Sequence, residues 1–520
     1  MNALTLPRFM NPSETPSRSS PGAASLAATP ARTSPGPVPA TGTPPPIAIL
    51  GVPFDNVTTA GTIERIAGMI ASRQAHYAAT ANVDFVVQAL EDAELRRILI
   101  DAHLVLADGM PLVWASRWLG NPLPERVTGS DLVPRLLGEA EQRGWRVFLL
   151  GGTEASVATA AEKTRSRHPR LELVGAYSPP FRPLLDMDHQ EIIQRIRMAR
   201  PDILLVAFGC PKQEKWINMH YRSLGVPLSI GVGATIDFLA GTMTRAPRWM
   251  QRTGLEWIYR LLQEPRRLFR RYAADLGVFG TAILRQWWQL RSRTAAPPSR
   301  AVLGAANDAE PGYRYVRISP ALDAATVARH HAEWSQAMAS GCHLFLDLGQ
   351  IESIDSTGVA SLIRLQNQAT ASGRQLIVLA PSPAVCNALA LMRLTGSFAT
   401  AADIDAARAM LAQRLAELPV TQTTPEEPLH WQGEVVAANA DAVWQATEAY
   451  LQHQVGRPGA ARVDLAGLRF LDSTGVSVMV RARKFGRQHG LEVRFLEPTA
   501  TVRQVIKRLR LEEALLGKAG

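Results

Sequence analysis

The clearest candidate for acid–base chemistry in this chain is Asp108, within the segment Ala-Asp-Gly at 107–109. The aspartate follows the apolar run LVLA and precedes a glycine, so we expect its carboxylate at a strand end, facing a pocket. There it could act as a general base, provided that its pKa lies near the working pH. An aspartate that only shapes a turn would give the same local pattern.

Two glycine-rich segments offer a second kind of chemistry. Gly151–Gly152 and Gly231–Gly233 follow apolar runs, where backbone N–H groups can approach a diphosphate. The signal is weak, because glycine is common at such corners and neither a GxGxxG nor a Walker pattern is present. Three further polar segments accompany them, namely TAN (80–82), ERVTGSDL (125–132) and FGCPKQEKW (208–216).

The segment Asp186-Met187-Asp188 has the spacing of a metal-binding Asp-x-Asp motif. It directly precedes a predicted helix at 188–199. Aspartate is favoured at helix starts, because it accepts hydrogen bonds from the first free N–H groups. Helix capping is therefore the preferred interpretation, and no metal site is predicted.

The segments that must position these residues alternate between strands and helices. The apolar β-rich runs are 145–152, 202–209 and 227–233, and the helical patterns are 91–100, 131–143, 154–167 and 188–199. This alternation predicts an α/β domain with a Rossmann-like, mostly parallel sheet. Ligands of such sheets bind beyond the carboxyl ends of the strands, where the glycine segments fall.

The end of this domain is strongly basic. Residues 241–293 contain eleven arginines and three acidic residues, in a chain with a net charge of +10 and a pI of about 9.9. Four tryptophans lie among the arginines: Trp249, Trp257, Trp287 and Trp288. Arginine and tryptophan on amphipathic helices are typical of binding to an anionic membrane surface. An ordinary solvated helix face is the alternative.

Other sequence features narrow the class of protein. A basic chain could bind nucleic acid, but no helix-turn-helix, RRM or KH signature is present, and no nucleic-acid partner is predicted. Cys210, Cys342 and Cys386 are too widely spaced for a disulfide framework or a zinc site, which favours a reducing compartment. Neither a signal peptide nor a run of about 20 apolar residues is recognisable. We therefore expect a cytoplasmic protein that reaches the membrane from its surface.

Composition divides the chain into domains and linkers. Residues 1–46 are rich in Pro, Ser, Thr, Ala and Gly and are predicted to be disordered. The predicted α/β domain covers 47–290, with its basic appendage from about 245 to 290. Two smaller α/β domains are predicted at 313–412 and 429–520, preceded by linkers at 291–312 and 413–428.

The two smaller domains repeat each other. LFLDLGQIESIDSTGVASLIRL (344–365) matches RVDLAGLRFLDSTGVSVMVRA (462–482), and each copy contains strand, helix, strand, DSTG, helix, strand and helix. Asp355 and Asp472 open the DSTG segments, where an aspartate or serine is favoured as a helix N-cap. Two copies cannot build a stacked solenoid, so the chain carries one duplicated module.

Residues 47–272 resemble the WecG/TagA/CpsF family of bacterial glycosyltransferases. The long ordered matches are PDILLVAFGCPKQEKWI, SIGVGATIDFLAG and RAPRWMQRTGLEWIYRLLQEPRR. The resemblance implies transfer of a sugar from a UDP-sugar to an undecaprenyl-diphosphate-linked acceptor, with inversion at the anomeric carbon and with no metal or other cofactor. It also implies a role in the biosynthesis of surface polysaccharides of the bacterial cell envelope.

The resemblance assigns site residues as well. It makes Asp108 the base, places Thr80 and Asn82 near the acceptor, Arg126 in the pocket and Gln213 on the donor side. It implies that the basic appendage closes over the site and brings arginines to the diphosphate. The candidate arginines are Arg260, Arg266, Arg267 and Arg270.

These roles predict a mechanism. Asp108 takes the proton of the acceptor hydroxyl as that oxygen attacks the anomeric carbon from the face opposite the UDP. The negative charge on the departing UDP is met by arginines and by backbone N–H groups. The glycines proposed for this role are Gly151, Gly152, Gly231 and Gly233.

The repeats are similar to STAS domains, such as anti-sigma-factor antagonists, over 313–412 and 429–516. The resemblance makes Ser356 and Ser473 of the DSTG motifs candidates for phosphorylation by a partner kinase, which would change the charge of a binding face. A kinase or an anti-sigma-like protein is accordingly a predicted partner. Docking or self-association without phosphorylation is the alternative.

The leading functional prediction is a UDP-sugar-dependent hexosyltransferase, peripheral on the inner face of the cytoplasmic membrane. Candidate donors are UDP-N-acetylmannosamine, its uronic acid, UDP-glucose or another UDP-hexose. The alternative is a signalling scaffold with a catalytically degenerate transferase domain. The intact set of Thr80, Asp108, Arg126 and Gln213 favours the enzyme.

Overall fold

The computed structural model describes residues 44–517 except 244, 248, 251–255, 264, 292–311, 319, 340–341, 417–418 and 422–426. For 257, 260, 263, 265–268, 270–271, 291, 331–333, 335–339 and 416 only the backbone is described. Most of the predicted disordered segment 1–46, and nearly all of the linker 291–312, therefore lie outside the described residues. The described residues all belong to one compact unit, Pro39–Gly520.

The N-terminal domain is built on a six-stranded parallel sheet, which confirms the predicted fold class. Its strand order is β4-β3-β8-β7-β5-β6. In chain order the elements are β1 (Ile47–Ile49), β2 (Val52–Phe54), α1 (Thr59–Ser72), β3 (His76–Ala81), α2 (Val83–Glu91), α3 (Ala93–Asp101), β4 (Leu104–Ala107), α4 (Met110–Trp118), α5 (Gly129–Arg143), β5 (Val147–Gly151), α6 (Glu154–Arg167), β6 (Leu173–Tyr177), α7 (His189–Ala199), β7 (Ile203–Ala207), α8 (Lys212–Leu224), β8 (Leu228–Gly231), α9 (Thr235–Ala240), α10 (Glu256–Gln263) and α11 (Pro265–Arg291).

The central strands are apolar along their whole length because helices cover both faces of the sheet. Side chains on one face join a cluster with Trp216 and Ile98, and those on the other join a cluster with Leu136 and Ile66. Residues that favour helix N-caps set the start of most helices. Asp92 is one of them: its carboxylate accepts hydrogen bonds from Glu94 N and Leu95 N, both at 3.0 Å. The helix expected at 91–100 is confirmed as α3, which begins directly after this cap, at Ala93.

The antiparallel hairpin β1–β2 lies outside the large sheet and packs against the first repeat. Its turn requires glycine at Gly51, where φ is +86° and a Cβ atom would lie 2.4 Å from the carbonyl oxygen of Met392. No other residue type would allow this close approach of two backbones.

The described part of the basic appendage includes two helices, α10 and α11. Phe279 and Ile283 of α11 are buried in the core cluster of the N-terminal domain, and α11 packs against α2. Farther along α11, Gln286 is fully buried and Leu290 packs against the core of the first repeat. The appendage thus connects the two domains instead of standing free.

Each repeat has a four-stranded sheet and a separate two-stranded ladder. The sheet orders are β14-β13-β11-β9 and β15-β16-β18-β20, parallel except for β15–β16, and the ladders are β10-β12 and β17-β19. The first repeat contains β9 (Tyr313–Arg317), β10 (Ala321–Leu322), α12 (Ala324–Ala339), β11 (His343–Asp347), β12 (Ser353–Ile354), α13 (Ser356–Ala371), β13 (Leu376–Leu379), α14 (Pro383–Leu391), β14 (Ala399–Ala401) and α15 (Ile404–Ala416). The second repeat contains β15 (Val420–Thr421), β16 (Leu429–Trp431), β17 (Gly433–Val435), α16 (Ala440–Gln454), β18 (Ala461–Asp464), β19 (Leu468–Leu471), α17 (Ser473–Gln488), β20 (Val493–Leu496), α18 (Ala500–Arg508) and α19 (Glu512–Leu516).

Candidate active site

Asp108 lies where the sequence places it, at the carboxyl end of β4. Its backbone N–H donates to the carbonyl oxygen of Ala81 at 2.9 Å, so β3 and β4 end side by side. The side chain is partly exposed. Substrates of such folds bind at this edge of the parallel sheet, so the carboxylate lies where a substrate is expected.

Thr80 and Asn82 lie at the end of the neighbouring strand, β3, but their side chains already form hydrogen bonds with backbone groups. Thr80 Oγ1 is buried and donates to the carbonyl oxygen of Gly231 at 3.0 Å, which ties β3 to β8. Asn82 is the N-cap of α2 and accepts a hydrogen bond from Phe85 N at 3.2 Å. Both residues thereby hold the strand ends around Asp108 in place.

Gln213 is buried and joins two loops of the same edge. Its Oε1 accepts hydrogen bonds from Gly209 N and Gly233 N, each at 3.2 Å, and its Nε2 donates to Glu214 Oε1 at 2.6 Å. The side chain thus fixes the loops that follow β7 and β8. This is a positioning role, in addition to the donor-side role that the family resemblance implies.

The four glycines also reach this edge. Gly151, Gly152 and Gly233 have φ values of +103°, +75° and +52°, which favour glycine. A Cβ atom on Gly231 would lie 2.8 Å from Gln213 Nε2, so the loop packs tightly. Gly152 N already donates to Ala207 O at 3.0 Å and Gly233 N to Gln213, so these two N–H groups are engaged within the protein.

Arg126 belongs to a cluster of charges that spans the domain and its appendage. Its guanidinium lies 2.9 Å from Glu256 Oε2 of α10 and 3.4 Å from Asp131 Oδ2 of α5. Arg245, in the segment before α10, donates to Asp131 Oδ1 at 2.7 Å. Glu256 is buried, so the appendage is seated on the domain through this cluster.

Arg245 is a functional candidate that the sequence analysis missed. Burial alone lowers the pKa of Arg245, but the hydrogen bond to Asp131 and the charges of Asp131, Glu256 and Asp108 raise it above its usual value. The guanidinium therefore stays charged within electrostatic reach of Asp108. Residues 241–293 contain eleven arginines, so the composition of this segment does not distinguish Arg245 from the others.

Glu214 is a second residue that the sequence did not reveal. It is fully buried beside Gly231, and desolvation raises the pKa of its carboxyl to about 8. The hydrogen bond from Gln213 works in the opposite direction. Helical periodicity does not distinguish Glu214 as a site residue, because four consecutive residues are buried here: Gln213, Glu214, Lys215 and Trp216.

The predicted arginines of the appendage are placed only by their backbone. Arg260 lies on α10, and Arg266, Arg267 and Arg270 lie on α11. Their side chains are outside the described residues, so their role toward a diphosphate stays a prediction.

Asp188 confirms the capping interpretation, while Asp186 ends a short 3-10 helix, Leu184–Asp186. Asp188 precedes α7 and accepts a hydrogen bond from Glu191 N at 3.0 Å. Over the described part of the chain, no three His, Cys, Asp or Glu residues converge on a point that could hold a metal ion. In the same residues, no helix combines the length and apolar character needed to cross a membrane.

The two DSTG motifs are helix starts, as expected. Asp355 and Asp472 are the N-caps of α13 and α17 and accept hydrogen bonds from the N–H groups two and three residues later. Ser356 and Ser473, the predicted phosphorylation sites, are both buried against the N-terminal domain. Ser356 Oγ accepts from Gln286 Nε2 at 2.9 Å, and Ser473 N donates to Glu94 Oε1 at 2.5 Å.

Comparison with known proteins agrees with this architecture. The model of the "Glycosyl transferase WecG/TagA/CpsF family" matches residues 47–293, and that of the "Mlab, STAS domain" matches 306–404 and 418–517. Proteins of Staphylococcus aureus strains MW2, NCTC 8325 / PS 47 and MRSA252, each named N-acetylglucosaminyldiphosphoundecaprenol N-acetyl-beta-D-mannosaminyltransferase, are 31% identical over 226 residues. These matches cover 43% of this chain and 87% of each relative.

The sequence match, the parallel sheet and the site at its carboxyl edge therefore agree, and both predicted resemblances are confirmed. The chain belongs to the WecG/TagA/CpsF family of glycosyltransferases and carries two STAS domains behind its transferase domain.

Proposed function

We propose that this enzyme transfers a sugar from a UDP-sugar to a hydroxyl of a polyprenyl-diphosphate-linked acceptor, with inversion of the anomeric carbon. The observation that carries the proposal is Asp108, partly exposed at the carboxyl edge of the sheet and electrostatically coupled to Arg245. The names of the relatives support the class of acceptor, since they describe transfer to an N-acetylglucosaminyldiphosphoundecaprenol.

In this proposal Asp108 accepts the proton of the acceptor hydroxyl. The acceptor oxygen forms a bond to the anomeric carbon from one face while the bond to the UDP oxygen breaks on the other. A single displacement needs one base and no covalent enzyme intermediate, and it inverts the anomeric carbon. Thr80, Asn82 and Gln213 hold the surrounding strand ends, so they act as positioning residues.

The departing UDP carries a growing negative charge. Arg126 and Arg245 are the described cations that we assign to this charge, and ion pairs with Asp131 and Glu256 hold them in place. Guanidinium groups suit this task because they bind diphosphate oxygens through paired hydrogen bonds. Arg260, Arg266, Arg267 and Arg270 of the appendage remain further candidates.

The acceptor is anchored in lipid in this proposal, so the site must approach a membrane. The appendage exposes large apolar side chains on the helices that also carry the basic charge. They include Leu262, Phe269, Leu284 and Trp288, which are 72%, 62%, 56% and 67% exposed. Such a surface supports peripheral binding to the inner face of the cytoplasmic membrane.

The test is turnover of the purified full chain with defined substrates. UDP release is measured with UDP-N-acetylmannosamine, its uronic acid and UDP-glucose, each with undecaprenyl-diphosphate-linked N-acetylglucosamine. We expect UDP release that depends on the lipid-linked acceptor with one donor. UDP-N-acetylmannosamine is tested first, because the relatives' names specify an N-acetylmannosaminyl group. The scaffold alternative predicts no acceptor-dependent release with any donor, and that result would reject the proposal.

A further inference from the structure

Helix α4 begins directly after the proposed base and carries an exposed aromatic pair. Trp114 and Trp118 are 40% and 62% exposed and lie one helical turn apart. Arg117 lies between them on the same face and is also exposed. The opposite face of the helix is buried, with Leu112 and Ala115 in the core of the transferase domain. The two indoles and the guanidinium therefore form one solvent-facing surface, which we call the α4 surface.

Packing within the domain does not account for these side chains. Tryptophan is highly buried in most proteins, because its ring offers a large apolar area. Trp216 of α8 and Trp431 of β16 follow this rule and are fully buried. Within the described residues, no ion pair and no hydrogen bond engages the guanidinium of Arg117. Two exposed indoles beside a cation suit a ligand that has both an apolar part and an anionic part.

The α4 surface lies at the distance from Asp108 that a lipid-linked acceptor requires. α4 has nine residues and is therefore about 14 Å long, at 1.5 Å per residue. Its side chains lean toward the helix N-terminus, which is the end next to Asp108. When the acceptor hydroxyl meets Asp108, one sugar ring and a diphosphate separate that hydroxyl from the first isoprenoid units. This separation is comparable with the length of α4.

We propose that the α4 surface binds the part of the acceptor where the diphosphate joins the polyprenyl chain. Trp114 and Trp118 pack against the first isoprenoid units, and Arg117 pairs with diphosphate oxygens. The proposal rests on the proposed function, since it takes the acceptor to be a polyprenyl-diphosphate-linked sugar. Two contacts with lipid are thereby separated: the appendage binds the bulk membrane, and α4 binds the individual acceptor molecule.

The distribution of charge supports this division. Residues 241–293 contain eleven arginines, which together attract any anionic bilayer. α4 carries a single charged residue, Arg117. One cation adds little attraction to a bilayer, but its guanidinium can form paired hydrogen bonds with one diphosphate. The α4 surface is therefore suited to one anionic ligand with an apolar chain.

Direct binding of the acceptor to the full-length protein tests the proposal without requiring turnover. The probe is undecaprenyl-diphosphate-linked N-acetylglucosamine in detergent, and its Kd is measured by microscale thermophoresis. We expect the Kd to rise at least about tenfold when Trp114 and Trp118 are both replaced by serine, because the apolar contact is lost. Arg117→Gln should also raise it. Met198→Ser is the control, since Met198 is 76% exposed but lies on α7.

A second probe separates the lipid from the sugar. In a water-soluble analogue, a methyl group replaces the polyprenyl chain of the acceptor. The unaltered protein and the double tryptophan variant should bind this analogue equally, while Arg117→Gln should bind it more weakly. Thermal unfolding shows whether the double variant is folded. If it is not, Arg117→Gln decides, and an unchanged Kd for both probes in that variant overturns the proposal.

Other occupants of the α4 surface give different results. An unchanged acceptor Kd in the folded double variant overturns the proposal. If that variant instead binds acceptor-free anionic vesicles less well, α4 is an ordinary membrane contact. If sedimentation shows that it converts a dimer to a monomer, α4 binds a second copy of the chain.

The outcome is separate from that of the proposed function. Acceptor binding that depends on α4, without UDP release from any donor, supports the α4 surface and rejects the transferase proposal. Acceptor-dependent UDP release with a Kd that is insensitive to α4 does the reverse.

Discussion

Arg364 of the first STAS domain donates to Asp55 Oδ2 of the transferase domain at 2.5 Å, and the same oxygen accepts a hydrogen bond from Val105 N at 2.8 Å. Val105 lies in β4, three residues before Asp108. Arg364 also donates to the carbonyl oxygen of Ala102 at 2.6 Å. A side chain of the STAS domain thus supports the strand that ends in the proposed base.

We expect Arg364→Ala to destabilise the protein by about 2–4 kcal/mol, because it leaves the buried carboxylate of Asp55 with one cation fewer. Turnover should fall as well, since β4 loses part of its support. Thermal unfolding and UDP release measure the two effects. Arg494→Ala is the control, because its ion pair with Glu492 is exposed and screened by solvent. Equal, small effects of both substitutions would contradict the supporting role.

Asp108→Asn should lower turnover by at least about a hundredfold, since the amide cannot accept the proton of the acceptor. The unfolding temperature should stay close to that of the unaltered protein. Asp186→Asn serves as the control, because Asp186 is exposed and belongs to the Asp-x-Asp segment that we interpret as a helix start. Unchanged turnover in Asp108→Asn would remove the base assignment.

Arg245→Gln should reduce kcat/KM by about ten- to a hundredfold, because a guanidinium that faces a developing negative charge is lost. The control is Arg143→Gln, whose guanidinium forms ion pairs with Glu64 and Glu139 on the protein surface. Steady-state kinetics and thermal unfolding are measured for both variants. A normal kcat/KM in Arg245→Gln would exclude this arginine from the site.

Glu214 predicts a pH dependence of stability. Its pKa is raised by burial from 4.5 to about 8 in the folded protein, so the carboxyl is held neutral there. Its contribution to the free energy of unfolding is fully present below about pH 4.5 and is lost as the pH rises toward 8, by at most about 1.4 kcal/mol per pH unit.

Urea unfolding at pH 5, 7 and 9 measures this effect. The stability of Glu214→Gln relative to the unaltered protein should increase with pH, because the amide has no proton to lose. Glu162→Gln, at an exposed position, should leave the pH profile unchanged. Parallel profiles for Glu214→Gln and the unaltered protein would refute the buried neutral carboxyl.

Replacing Phe269 and Trp288 together by serine should weaken binding to anionic vesicles at least tenfold, because each aromatic ring contributes about 1.5–3 kcal/mol on burial. Co-sedimentation at two salt concentrations measures the apolar and ionic parts. Phe181→Ser is the matched control, since Phe181 is 94% exposed and lies outside the appendage. Deleting the appendage is a poorer test, because Phe279 and Ile283 belong to the domain core. Unchanged vesicle binding by the double variant would contradict membrane attachment through this surface.

The sequence predicted the strand–helix order and the edge of the sheet that holds Asp108, because alternating apolar runs and strand-end glycines are local signals. It also predicted both repeats, whose motifs match residue for residue. It could not predict that Thr80 and Gln213 are bound to backbone groups, since Gly231 and Gly233 approach them only in the folded sheet. The pairing of Arg126 with Glu256 depends on tertiary packing in the same way.

Gln286 can complete its hydrogen bonds only after part of the first STAS domain has been synthesised. Its amide donates to Ala48 O, accepts from Leu50 N and donates to Ser356 Oγ, each at 2.9 Å. Ser356 leaves the ribosome 70 residues after Gln286, so the last partner of this amide is made only when the transferase sequence is already complete. A chain that stopped at Arg291 would carry every transferase motif and still lack the surface that covers the end of its own appendage.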